Sequence, residues 1–231
     1  MSKLTAAIIL LLSVPVLGTM NFVHAQGLSP FFGVGSAHAP AGTSLNAIDP
    51  VTGAVVTCPS GDLFDQITGN CEVGPTIGGV FGVIGADFMI TPHLGVNGQD
   101  AFRFSQDDYL PAAGLKYRPS FYDFNAVYEP MPGEKRIVPV LNGGIGGVRL
   151  TLYQAQVVSV TGITSNYSYP VGLNANHFQL HAAVGVKLYV TSSIFIKPQF
   201  DFHYVFNLTD QFGRNWVPRY TVAVGYTFGQ H

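Results

Sequence analysis

Charged residues are scarce in this sequence: they make up 10% of the chain, against about 25% in ordinary soluble domains. With a formal net charge of −2, it offers no basic surface for nucleic acid and no strong field of either sign. Long apolar runs are missing too. Past the N-terminal segment, no apolar stretch approaches the roughly 20 residues that a membrane-spanning helix needs. Cysteine is nearly absent, and Cys58 and Cys71 are too few for a four-cysteine zinc site. There is no phosphate-cradling Gly-rich loop followed by Lys, no Ser elbow and no paired zinc-type His. No pattern for a cofactor is present.

What is there begins with an export signal. Lys3 supplies a positive start, Ala6 to Leu17 an apolar core, and Val23-His24-Ala25 a small-residue end. These features predict a secretory signal peptide over 1–25, cleaved after Ala25, with one domain over 26–231. The core is short for an anchor helix and Pro15 interrupts it. Removing Lys3 with the signal leaves ten basic against thirteen acidic residues.

The rest alternates with period two. Over 176–190, Phe178, Leu180, Ala182, Val184, Val186, Leu188 and Val190 share one face. The other carries His177, Gln179, His181, Lys187 and Tyr189. Over 194–207, Ile194, Ile196, Phe200, Phe202, Tyr204 and Phe206 oppose Lys197, Gln199, Asp201 and His203. Trp216, Tyr220, Val222, Val224, Tyr226 and Phe228 likewise oppose Arg219, Thr221, Gly225 and Thr227. Earlier segments are less regular. Asp100 falls on the face of Val96 and Phe102, so a bulge near Asn97-Gly98 is expected to reset the phase. The glycines at 143, 144, 146 and 147 leave 137–152 without a clear phase.

Eight such segments follow one another, and their connections alternate in length. Long gaps fall near 38–75, 105–114, 153–175 and 207–215, and short ones at 91–93, 130–135 and 191–193. Low charge, 27 Gly, 13% aromatics and no spanning helix fit a closed barrel, the other structure that satisfies its backbone within a bilayer. The expectation is an all-β fold, an eight-stranded antiparallel transmembrane up-and-down β-barrel with tight turns on the periplasmic side and larger loops outside. Tyr122, Tyr128, Tyr204, Trp216, Tyr220, Tyr226 and Phe228 are expected to form an aromatic girdle at the membrane interfaces.

The closing run Val217-Pro-Arg-Tyr-Thr-Val-Ala-Val-Gly-Tyr-Thr-Phe228 resembles the last strand of small bacterial outer-membrane barrels. The turns Thr91-Pro92-His93 and Thr191-Ser192-Ser193 are similar to the periplasmic turns of the OmpA transmembrane domain and OmpX. This chain departs from the pattern in that Gly229-Gln230-His231 follow the terminal Phe. The resemblance implies a Gram-negative outer-membrane location. It also implies contact with outer-membrane lipid and lipopolysaccharide, and handling by the barrel assembly machinery.

The inward-facing positions hold Asp87, Arg103, Asp123, Glu129, Arg149, Lys187, Lys197, Asp201, His203 and Arg219. An eight-stranded lumen is just wide enough for side chains to fill, and buried charges need partners, so a salt-bridged plug is expected. A narrow polar path is the alternative. His177, His181 and His203 read as polar lumen residues, because no nucleophile pairs with them and no full ligand set is visible. Cys58 and Cys71, an even pair in an exported chain, predict a disulfide across the first long loop, worth about 3 kcal/mol against the unfolded chain.

These readings predict a non-enzymatic surface or structural protein, whose loops 38–75 and 153–175 meet an extracellular ligand or surface. A channel or carrier for small solutes or apolar molecules is the alternative. A lipid-modifying enzyme comes third.

Overall fold

The computed structural model describes residues 27–66, 68–131, 136–160, 163–209 and 212–229. The expected signal peptide lies outside them. Eight long strands make a closed wall: β1 (Gly27–Ala37), β6 (Val80–Met89), β7 (Leu94–Arg103), β9 (Leu115–Tyr128), β10 (Ile137–Val160), β11 (Ile163–Tyr189), β12 (Ile194–Val205) and β13 (Trp216–Tyr226). Each pairs antiparallel with its neighbours in sequence, and β1 closes the ring on β13 from Phe31↔Gly225 to Ala37↔Arg219. Closure leaves the wall no open edge, which is what a bilayer requires of a sheet.

Side chains alternate across this wall. In β12 and β13 buried and exposed positions follow one another almost without a break. The outward set is apolar: Phe32 is 69% exposed, Phe124 67% and Tyr220 64%. An apolar surface continuous around the barrel far exceeds the patch of a few hundred Å² that a soluble monomer tolerates. The wall is therefore built to face lipid.

Two of the sequence expectations change here. β7 keeps one register against both β6 and β9, with no bulge at Asn97-Gly98. Asp100 consequently stands exposed on the outer wall, paired across the ladders with Ile84 and Tyr122. The glycine-rich β10 is one continuous strand that keeps a single register against β9, and against β11 it does so from Ile137 to Thr151, with a bulge between Thr151 and Tyr153. A Cβ on Gly144 or Gly146 would meet the Phe124 or Tyr122 carbonyl oxygen at 2.0 Å, with the Asn125 and Asp123 side chains close behind. Those glycines let β9 lean its polar side chains across β10 toward the lumen.

The connections at one end are short, at 90–93, 129–136 and 190–193, where Ile90 and Val190 close tight turns on the carbonyls of Leu94 and Ile194. The other end is elaborate. Between β1 and β6 lie two small hairpins, β2 (Ala47–Ile48) with β3 (Val55–Val56) and β4 (Asp62–Asp65) with β5 (Asn70–Val73). The Cys58–Cys71 disulfide staples the second. Bridges Ala39↔Ile77 and Ala41↔Phe212 hold this segment over the barrel mouth. A short β8 (Asp107–Leu110) pairs with the top of β9.

The gap expected as a loop at 153–175 is largely strand. β9 accompanies β10 only to Gln154, after which Ala155–Val160 and Ile163–Ser168 have no strand partner but each other among the described residues, with Ser168 Oγ donating to Gln106 Oε1 at 2.6 Å. β11, with 27 residues, is about 90 Å long at a rise of about 3.3 Å per residue. It meets β12 only over Gln179–Tyr189. The β10–β11 hairpin thus projects beyond the wall as an arm.

Candidate functional site: the lumen and its ion network

Because neighbouring strands alternate in phase, the inward positions of all eight converge on the axis. The lumen is stratified. Toward the short-turn end, Lys187 Nζ donates to Glu129 Oε1 at 2.6 Å and lies 2.9 Å from Asp87 Oδ2. Lys197 Nζ reaches the same Asp87 carboxylate at 3.2 Å. Asn97 donates to Asp87 Oδ1 at 2.6 Å. Both ammonium groups also sit over aromatic faces, Lys197 4.3 Å from the Phe31 ring and Lys187 5.3 Å from that of Phe195. All four charged groups are buried. In a low-dielectric interior such charges persist only when each is paired and hydrogen-bonded.

A second cluster lies deeper in the barrel. Arg219 Nη2 donates to Asp201 Oδ1 at 3.1 Å and is 3.6 Å from Asp123 Oδ2. Gln179 and Gln199 donate to Asp123 and Asp201 at 2.6 and 2.7 Å, and Gln99 spans both carboxylates at 3.2 Å. His181 Nε2 faces Asp201 Oδ1 at 2.9 Å, and His203 Nε2 faces Asp123 Oδ2 at 3.4 Å. Asn125 couples the clusters, donating to Asn97 Oδ1 at 2.9 Å and holding His181 Nδ1 at 2.7 Å. The result is one connected polar network across the lumen.

Above it the interior turns apolar. Phe81, Tyr117, Phe121, Val148, Leu150, Val205 and Val217 form a buried cluster, joined from the loops by Ile77, Leu208 and Phe212. Leu208 and Phe212, which follow β12, turn inward to reach it. Asn207 takes a left-handed φ of 56°, which asparagine tolerates better than most residues. Asn215 Oδ1 then accepts from the backbone N–H groups of Leu208 and Thr209. Tyr117 anchors the first long loop by donating from its hydroxyl to the Thr76 carbonyl.

Of the ten lumen residues expected from sequence, the structure places Asp87, Arg103, Asp123, Glu129, Lys187, Lys197, Asp201, His203 and Arg219 inside. Arg103 stands apart from the network, within the apolar level, where its Nη2 meets Asp107 at 3.0 Å. Arg149 is corrected: it is exposed on the outer face, because Val148 and Leu150 on either side of it point inward. It sits opposite Ser120 and Asn176, far along β10 from the short turn, where a long cation reaches the membrane interface. The expected girdle residues all stand outward, Tyr204 half-buried and the other six exposed. Gln179 and Gln199 stand on the polar faces expected of them, but the expected charge network left them out along with Asn97, Gln99 and Asn125, the amides that link the charges. Their only signal was polarity on an inward phase, shared with many exposed amides.

A closed meander of eight antiparallel strands, apolar outside and polar within, is the fold of the small bacterial outer-membrane β-barrels. Among solved structures, the chain is similar to the outer membrane protein OprG from Pseudomonas aeruginosa, with a TM-score of 0.55 at 12% identity, covering 89% of this chain and 97% of that one. Ail, the attachment invasion locus protein of Yersinia pestis, matches in a complex with the heparin analogue sucrose octasulfate. Its TM-score is 0.47 at 12% identity, over 88% of this chain and 99% of that one. The N-terminal β-barrel domain of Pseudomonas aeruginosa OprF matches with a TM-score of 0.47 at 11% identity, over 88% and 99%. No family model and no curated protein matches the sequence.

Proposed function

We propose that the protein is an integral outer-membrane barrel with a side-chain-filled lumen, acting at the cell surface through its long-loop end. The observation that carries this reading is the two-storey lumen. The polar storey has its charges engaged by one another and by amides, and the apolar storey lies across the mouth. Ions crossing it would have to break buried pairs and then pass a layer of aromatic and aliphatic side chains. The same burial supports a non-enzymatic role, since the Asp–His pairs lie beneath that layer, away from any substrate in solution. The apolar wall, with Tyr and Trp outward, suits lipid and lipopolysaccharide. The strand ending at Phe228 suits recognition by the barrel assembly machinery.

The working surface is then the superstructure. The stapled β4–β5 hairpin offers a fixed shape, and the β10–β11 arm offers backbone. From Leu150 to Asn176 there is no charged residue, whereas exposed strand edges are usually blunted with charge. An uncharged edge invites strand addition by an extended polypeptide. The test is conductance of the refolded barrel in a planar bilayer, together with surface binding by cells expressing a chain deleted over 155–168. Silence in the bilayer, and loss of binding from a deletion variant that still migrates faster unheated than boiled, are expected. Steady single-channel steps abolished by Lys197 or Asp201 substitution would replace this reading with a channel.

A further inference from the structure

The two lumen histidines present a chemical problem that the hydrogen bonds define. His203 Nδ1 lies 3.1 Å from the Val217 carbonyl oxygen, an acceptor, so Nδ1 carries the proton and donates. His181 Nδ1 lies 2.7 Å from Asn125 Oδ1. Asn125 is fixed in that orientation because its Nδ2 donates to Asn97 Oδ1, so His181 Nδ1 also donates. Both neutral rings therefore turn an Nε2 lone pair toward a carboxylate oxygen, Asp123 for His203 and Asp201 for His181. Lone pair against carboxylate is repulsive unless a cation lies between.

Protons are one remedy. Protonating both rings puts two imidazolium groups face to face, 4.7 Å between centroids, beside the Arg219 guanidinium. Protonating one leaves the other lone pair unrelieved. A single divalent ion relieves both. Asp123, His181 and His203 each offer one donor atom, and those atoms lie within 4.8 Å of one another. The Nδ1–H groups are bonded outward to a backbone carbonyl and a side-chain amide oxygen, as ligating histidines characteristically are. Two imidazoles and a carboxylate are a donor set that suits zinc, with a fourth position left over. Asp201 Oδ1, 2.9 Å from His181 Nε2, is the nearest donor for that position.

We propose that Asp123, His181 and His203 form a buried divalent-cation site of the zinc type in the middle of the lumen, loaded as the barrel closes. The trio was not legible in sequence because Asp123 comes from β9, two strands from His181 on β11. Arg219 is the built-in competitor, since its guanidinium already leans on both carboxylates.

The experiment uses the tag-free chain 26–231, refolded with EDTA or with zinc(II) and then passed through a chelating column. Bound metal is counted by mass spectrometry, with cobalt(II) absorption as a second probe. One equivalent retained by the wild type and by His177→Gln, and lost in the His181→Gln/His203→Gln double variant, is expected. Asn125→Ala, which loosens the His181 ring, should weaken binding about 10- to 100-fold. Arg219→Gln should bind more tightly, a direction that mere damage to the fold does not produce. Should the double variant fail to fold, ring nitrogen shifts of the wild type decide: zinc must move Nε2 of residues 181 and 203. No metal on a folded wild type, one equivalent persisting in the double variant, or rings that respond only to protons would each overturn the site.

Discussion

The two storeys of the lumen solve the same packing problem with opposite chemistry. Near the short turns the space is filled by Asp87, Glu129, Lys187 and Lys197, held by Asn97 and aromatic faces. Near the mouth it is filled by Phe81, Phe121, Val148, Leu150 and Phe212, as in a soluble core. The polar storey depends on every partner being present, because a buried charge left alone is expensive. The apolar storey is graded, because each lost methylene costs only its own transfer and cavity. A barrel turned apolar-out for lipid thus keeps its larger apolar core at the long-loop end, with a small second cluster of Met89, Val127 and Val140 near the short turns.

The sharpest way to break that contrast is Asp87→Ala, which strips both Lys187 and Lys197 of a carboxylate. A loss of about 3–5 kcal/mol is expected, measured by urea unfolding in lipid vesicles with Trp216, the single tryptophan, as the probe. A loss under 1 kcal/mol would mean water reaches the lysines and the storey is not dry. Phe121→Ala, in the apolar storey, should cost about 3 kcal/mol. Restoring volume with Leu should recover most of that, whereas Asp87→Leu should recover little. Gly146→Ala should cost about 1–3 kcal/mol by overpacking, since its new Cβ would run into the Tyr122 carbonyl of β9. Finally, Asp100→Leu on the outer wall should stabilise the barrel in lipid by about 1 kcal/mol and do nothing in a loose detergent. The same assay in both media checks it.

Much of the wall was readable from the chain because its signal is local. Period two in β11, β12 and β13 and the difference between short and long connections need no knowledge of neighbours. Where the local signal failed, the reason was register. Asp100 looked like a phase error because a lipid face was expected to exclude carboxylates; the strand is regular and the residue is the exception. Arg149 looked inward by the same presumption that charge avoids lipid, yet it lies where the wall has left the apolar band. The amides of the network, and the meeting of Asp123 with His181 and His203, depend on strand stagger around the ring. No single strand carries that information.

Closure has a consequence in time. Ser29 hydrogen-bonds Thr227 across 198 positions, and the amide of Phe228 donates to the Leu28 carbonyl. The seam that completes the wall therefore joins its first strand to its last. Without the β1–β13 pairing the wall would be an open sheet with two unpaired borders. Pairing across so long a separation in sequence is intrinsically slow, so closure of β1 on β13 is expected to be a slow step of assembly. A substitution at Leu28 or Phe228 would then be felt less in how long the finished barrel lasts than in how long the unfinished one is kept waiting.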